Sequence, residues 1–242
     1  MNLLSLQSWL QCVGQVLLDD ARRFYTRRNL VSLGIGFLVG AILANSPLDS
    51  WLEDAYQRNV HSETKAAANC QWITKQIGDR YVVVIAPIAA MTVGALAPAN
   101  PAAAVMGFWG AQFTRAFIVA TPVTYGATWL LGGDRPKNGN GSAWQPWRWV
   151  QKGISGHSMA GAISFLVMAG MTSNPCSQAA LYVCSGLTAW SRVDSQAHYP
   201  SQVFLGWWLA YLGVRAVKSA RQRTEIRGQR SEVGHQRSES KP

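Results

Sequence analysis

Charge is what this sequence lacks where a soluble protein would carry most. Only 14% of its 242 residues are charged, against roughly 25% in ordinary soluble domains. Those charges crowd into the first 30 residues, the stretch 49–80 and the last 25, so the chain between these blocks is nearly charge-free. The mean hydropathy of +0.02 therefore averages apolar interior runs with polar ends. The cysteines Cys12, Cys70, Cys176 and Cys184 have neither CxxC spacing nor a dense pattern, which excludes a redox motif or a disulfide framework; they read as buried, unpaired thiols. Acidic residues are few, 12 against 22 Lys and Arg, for a net charge of +10. The surplus lies in Arg22, Arg23, Arg27 and Arg28 and in the run from Lys218 to Lys241. That is the layout of positive flanks on membrane helices, not of a nucleic-acid-reading face, so no nucleic-acid partner is expected.

What is present is a series of apolar runs. Residues 3–18 set Leu4, Leu10, Val13 and Leu17 at helical spacing with Gln7, Gln11 and Gln15 between them. Two readings stand: an amphipathic helix on the membrane surface, or a short helix packed on the rest. A spanning helix needs about 20 apolar residues to cross about 30 Å of hydrocarbon. Six stretches approach that, at 30–45, 81–97, 102–131, 158–172, 179–190 and 199–217. In the first, Gly34, Gly36 and Gly40 suit close helix contact. In the third, Pro122 predicts a kink and Arg115, costly in lipid, is expected to face the bundle or a water-filled cavity. The polar stretch 49–80 predicts one or two surface helices, and the tail after 217 has no apolar periodicity and predicts disorder. The expected fold is all-α: an integral membrane bundle of about six transmembrane helices over 30–217, with an N-terminal amphipathic segment at 1–29 and a basic, disordered tail at 218–242. Basic clusters at both ends put the termini in the cytoplasm. The loops at 132–157 and 191–198 then share the outer face.

Three polar constellations fall on that face: Asp134, Arg135, Pro136 and Lys137; Ser155, Gly156, His157 and Ser158; and Ser191, Arg192, Asp194 and His198. Guanidinium forks match phosphate oxygens in bidentate pairs, and the histidines supply proton transfer near neutral pH. Gly156 at a predicted helix start adds free amides and the positive end of a helix dipole. The residues themselves describe an anion site with two histidines.

GlyIleSerGlyHisSer at 153–158 resembles the second signature of the type 2 phosphatidic acid phosphatase (PAP2) superfamily. SerArg at 191–192 with His198 resembles the third, and ArgPro at 135–136 the end of the first. The resemblance implies that His198 attacks phosphorus to give a phosphohistidine and that His157 protonates the leaving alcohol. Arg135, Arg192, Ser155 and the Gly156 amide would hold the phosphoryl oxygens, without metal or cofactor. It implies a phosphatase of the cytoplasmic membrane, its site facing the periplasm or exterior. Membrane lipids would be its surroundings and a lipid phosphate or pyrophosphate its substrate: phosphatidic acid, phosphatidylglycerophosphate, undecaprenyl pyrophosphate or lipid A phosphates. The apolar runs disfavour the soluble haloperoxidases of the wider superfamily.

Two positions depart from the signatures. The first normally opens with a lysine seven residues before its arginine, where this chain has Thr128; Lys137 or Lys152 is the candidate substitute. The third normally has an aspartate four residues after its histidine, where this chain has Gln202. An amide accepts a hydrogen bond but offers no charge, and the equivalent exchange lowers serine-protease turnover by about 10⁴. Asp194, four residues before His198, is a candidate replacement; an ordinary loop carboxylate is its other reading. These departures open a second class of function, a relative that binds a phospholipid or a membrane partner without turnover. Away from the motifs, Arg135, Arg192, Lys137, Arg148 and Lys152 would read as headgroup anchors, and His61 and His235 as solvated.

Overall fold

The computed structural model describes residues 3–61, 63–147 and 153–239, excepting the side chains of 3–6, 9 and 220–239. The described residues are helical or irregular, so the all-α expectation is met. Helices α1 (Leu3–Phe24), α2 (Arg27–Ala44), α3 (Pro47–Asn59), α4 (Lys65–Ile77), α5 (Val82–Leu96) and α6 (Pro101–Leu131) are followed by a loop with a short 3-10 turn at Pro136–Asn138. Then come α7 (Gly156–Met171), α8 (Pro175–Cys184), α9 (Leu187–Asp194) and α10 (Pro200–Glu239).

Several helices are apolar on the side a soluble protein would make polar. α2 buries Gly36 and Gly40 and exposes Val31, Ile35, Leu38 and Ile42; α5 buries Pro87 and Ala90 and exposes Val84, Ile85 and Ile88. Small residues inside and large aliphatics outside is the arrangement for a lipid solvent, where close packing and not burial from water drives association. Gly36 meets Trp208 and Gly40 meets Leu205, both on α10, while Gly34 faces open space. The chain is a membrane protein on this evidence.

The expectation of six spans is not met by length and composition. Among the described residues two segments are long and apolar enough to cross, Arg27–Ala44 and Pro101–Asn138, or three if α4 and α5, bent by 62°, count as one. α7 has 16 residues, about 24 Å at 1.5 Å per residue, short of the hydrocarbon thickness. The expected fifth span is divided by a turn at Ser185–Gly186 into α8 and α9. α10 continues to Glu239, past the point where a disordered tail was expected.

α1 packs on the bundle at its C-terminal end, where Phe24 is buried and Asp20 meets Arg115 of α6 through two hydrogen bonds, from Nε (2.7 Å) and Nη2 (2.8 Å). Arg115 thus faces inward as expected, and its partner is Asp20. The expected buried thiols are not found: Cys12, Cys70 and Cys176 are exposed and Cys184 is half-buried, all unpaired. On the outside of a membrane helix a cysteine needs no burial to leave water.

Candidate active site

The three motifs converge at one end of the bundle, because α7 and α10 start there and α6 and α9 end there. Ser155 caps α7, its Oγ accepting from Ser158 N–H (3.2 Å), and Gly156 opens the helix with free space where a Cβ would stand. α10 lies against this turn: Ser155 N–H donates to the Gln202 carbonyl (3.0 Å) and Ser158 Oγ to the Val203 carbonyl (2.8 Å). Only glycine fits at 206, where a Cβ would sit 2.4 Å from the Ser155 carbonyl oxygen. The third motif curls back on α9, with the Ala197 and His198 amides both donating to the Arg192 carbonyl. The first-motif loop is tied to the end of α2 by Ser142 Oγ to the Ala44 carbonyl (2.9 Å) and Trp144 N–H to Asn45 (3.1 Å).

Arg135, Arg192, His157 and His198 lie close enough to act on one another's ionisation. His198 is held down to about 3, first by burial, then by Arg192, Arg135 and His157, against the hydrogen bond to Gln202 that raises it. His157 is lowered, first by burial and then by Arg192, with Asp79 opposing and Lys75 and Arg135 adding to the effect. Arg192 is itself lowered by burial and by Arg135. The Nε atoms of Arg135 and Arg192 are buried without a hydrogen-bond partner. Two guanidinium groups, close enough for Arg135 to lower the basicity of Arg192 and with unpaired buried donors, form a cluster of positive charge that an oxyanion would satisfy.

The other expected residues are distributed differently. Lys137 is exposed on the 3-10 turn. Lys152 and Arg148 lie outside the described residues. Thr128 is buried and its Oγ1 donates to the Thr124 carbonyl in its own helix (2.7 Å), so it supplies nothing to the site. Asp194 does not replace the missing carboxylate. Its Oδ1 accepts from Tyr56 Oη (2.8 Å) and His61 Nδ1 (2.9 Å), on the α3 side of α9. The loop does not fold back as that role required, and His61, though exposed as expected, has Asp194 as a partner. His198 Nδ1 donates instead to Gln202 Oε1 (2.8 Å).

Several contributors were not evident from the sequence. α3, in the polar stretch 49–80, braces the third motif from one face. Asp49 accepts from Ser201 N–H (2.8 Å) and Oγ at the start of α10, Glu53 from Gln196 Nε2 (3.1 Å), and Gln57 donates to the Val193 carbonyl (3.0 Å). The i, i+4, i+8 spacing of Asp49, Glu53 and Gln57 was the available signal. Lys75 and Asp79 act on His157 from α4 and the turn after it, brought there by a contact that no local pattern announces.

A helical membrane chain with two arginines and two histidines gathered at one end of its bundle has, by class, the makings of an oxyanion site. The family model of the PAP2 superfamily matches residues 108–225; this stretch holds all three motifs and is a PAP2-superfamily region, which points to phosphatase activity. No curated protein and no solved structure matches the chain.

Proposed function

We propose that this protein is a membrane phosphatase that hydrolyses a lipid phosphate or pyrophosphate through a phosphohistidine on His198, at the outer face of a cytoplasmic membrane. The observation that carries the reading is the pair of buried, unpartnered guanidinium donors of Arg135 and Arg192 beside two histidines. His198 Nε2 forms the N–P bond as the P–O bond to the leaving group breaks, and His157 gives its proton to the departing oxygen. A water molecule, losing its proton to His157, then attacks phosphorus and releases His198. Arg135, Arg192, Ser155 and the Gly156 amide stabilise the phosphoryl oxygens. Lys75 supplies positive charge that Thr128 does not. In this reading both termini lie in the cytoplasm and the site opens at headgroup level among apolar outer surfaces, which favours a lipid over a soluble ester.

The test is phosphate release by purified protein in detergent from phosphatidic acid, undecaprenyl pyrophosphate and the soluble ester p-nitrophenyl phosphate. We expect turnover of a lipid substrate, abolished in His198→Ala, and a raised KM in Lys75→Met. Activity surviving His198→Ala would rule out the nucleophile, and preference for the soluble ester would rule out the lipid. A second reading, a phosphate-binding relative without turnover, is favoured by the neutral side chain of Gln202. It predicts that inorganic phosphate binds while every ester remains intact.

A further inference from the structure

Gln202 is the residue at which the three motifs meet, and it is 1% exposed. Its Oε1 accepts from His198 Nδ1 (2.8 Å) and from Tyr199 N–H (3.3 Å). Its Nε2 donates to the carbonyl of Asp134 (2.9 Å), the residue before Arg135. Its backbone carbonyl accepts from Ser155 N–H (3.0 Å), at the cap of the helix that carries His157. The first-motif loop lies flat against the amide: Gly133 has φ +145°, and a Cβ there would stand 3.2 Å from Gln202 Nε2.

These partners fix the amide. Turned over, its NH₂ would face the Tyr199 N–H and its oxygen would face the Asp134 carbonyl, donor against donor and acceptor against acceptor. Oε1 therefore faces His198, whose Nδ1 must carry the hydrogen, and the lone pair is left on Nε2. A carboxylate at 202 would orient the ring equally well, but it could donate nothing to Asp134 and would set negative charge against that carbonyl.

We propose that Gln202 is the positioning residue of this site: it holds His198 as the Nδ1–H tautomer and, through Asp134 and Ser155, ties the nucleophile to both other motifs. The consequence for reactivity rests on the phosphohistidine reading. When Nε2 bonds to phosphorus and His157 protonates the leaving oxygen, Nδ1 keeps its hydrogen and the ring becomes a phosphorylated imidazolium. The neighbouring groups from the other elements, Arg192, Arg135 and His157, offer it no negative charge, and Gln202 offers a neutral acceptor. The intermediate is consequently poorly stabilised, slow to form and quick to hydrolyse.

The experiment compares the wild type with Gln202→Leu and Gln202→Glu in detergent. It uses ¹⁵N-histidine spectra assigned by His198→Gln, calorimetric binding of inorganic phosphate, and kcat and KM on phosphatidic acid across pH. We expect a single Nδ1–H tautomer for wild-type His198. Gln202→Leu should lose it, with kcat lowered on the order of 10³–10⁴-fold and KM nearly unchanged, the scale on which a serine protease suffers from a misoriented histidine. Gln202→Glu should keep the tautomer and move the acid limb of kcat/KM to higher pH. A Gln202→Leu protein that keeps the tautomer and kcat, or a Gln202→Glu protein that loses the tautomer, would overturn the proposal. Should Gln202→Leu fail to bind phosphate or to fold, the isosteric Gln202→Glu decides it. A wild type inert on every ester would defeat the phosphatase reading instead, and the tautomer spectra would still judge Gln202.

Discussion

His157 and His198 face opposite demands, and their surroundings meet them unequally. A nucleophile must be unprotonated and a general acid must be protonated. Burial and Arg192, Arg135 and His157 keep His198 neutral down to about pH 3, so the nucleophile is available across nearly the whole acid range. His157 is also lowered from 6.5, which makes it a stronger acid but leaves less of it protonated at neutral pH. The expected profile of kcat/KM is therefore acidic. It falls as pH rises through the lowered His157 value, below 6.5, and falls again only as pH drops toward the His198 value near 3. Stopped assays between pH 3 and pH 9 check this; a plateau extending above pH 7 would show that His157 is not the acid in the free enzyme. Asp134 contributes differently. Its carboxyl is lowered, first by the Asn140 hydrogen bond, and with Asn138 and the Arg135 amide it forms a polar knot that shapes the turn before Arg135.

At the scale of elements, two short pieces of chain outside the motifs hold the site and the bundle together. α3 contacts the third-motif loop at successive turns, and its Asp49 sits at the N-terminus of α10, where a carboxylate meets free amides and the positive end of the helix dipole. Burial nevertheless raises the Asp49 carboxyl above its usual range, against the opposing hydrogen bonds from Ser201. α1 is joined to α6 by Asp20, fully buried, and Arg115, 22% exposed. Removing one member of such a pair leaves an uncompensated charge, at a cost of about 3–5 kcal/mol. Asp20→Ala is expected to lower the thermal midpoint of the detergent-solubilised protein well below the wild-type value. The double substitution Asp20→Leu with Arg115→Met should recover most of the loss. Equal stability of Asp20→Ala and the wild type would show that α1 is not held by this pair.

At the scale of the whole molecule, charge and polarity are sorted along the bundle. The end formed by Asn45, Ser142, Ser155 and Ser201 carries the site. Toward the other end, Arg215 reaches from α10 to Asn29 near the basic start of α2, donating to it through Nε (2.9 Å). Basic residues at that end favour the cytoplasm, and the proposed orientation, with the site outside, follows from that preference. The expected outcome of labelling Lys137→Cys, in a background with the four native cysteines replaced, is modification by a membrane-impermeant maleimide in intact cells. Protection there, with labelling only after lysis, would invert the orientation.

The sequence by itself determined the helical class, the membrane setting and the three motifs, because apolar runs, sorted charge and short signatures are local patterns. It also placed Arg115 facing inward, since lipid is a poor solvent for a guanidinium. Of its six expected spans two or three are long and apolar enough to cross, because an apolar run does not reveal the turn at Ser185–Gly186 or the shortness of α7. Tertiary structure decided the rest, through contacts between residues distant in sequence. Asp194 turned to Tyr56 and His61 and away from His198; Lys75 came to His157; Asp20 met Arg115. Gln202, which looks in the sequence like the loss of a charge, became in the fold the hydrogen-bonded junction of all three motifs, because an amide can accept and donate at once where a carboxylate can only accept.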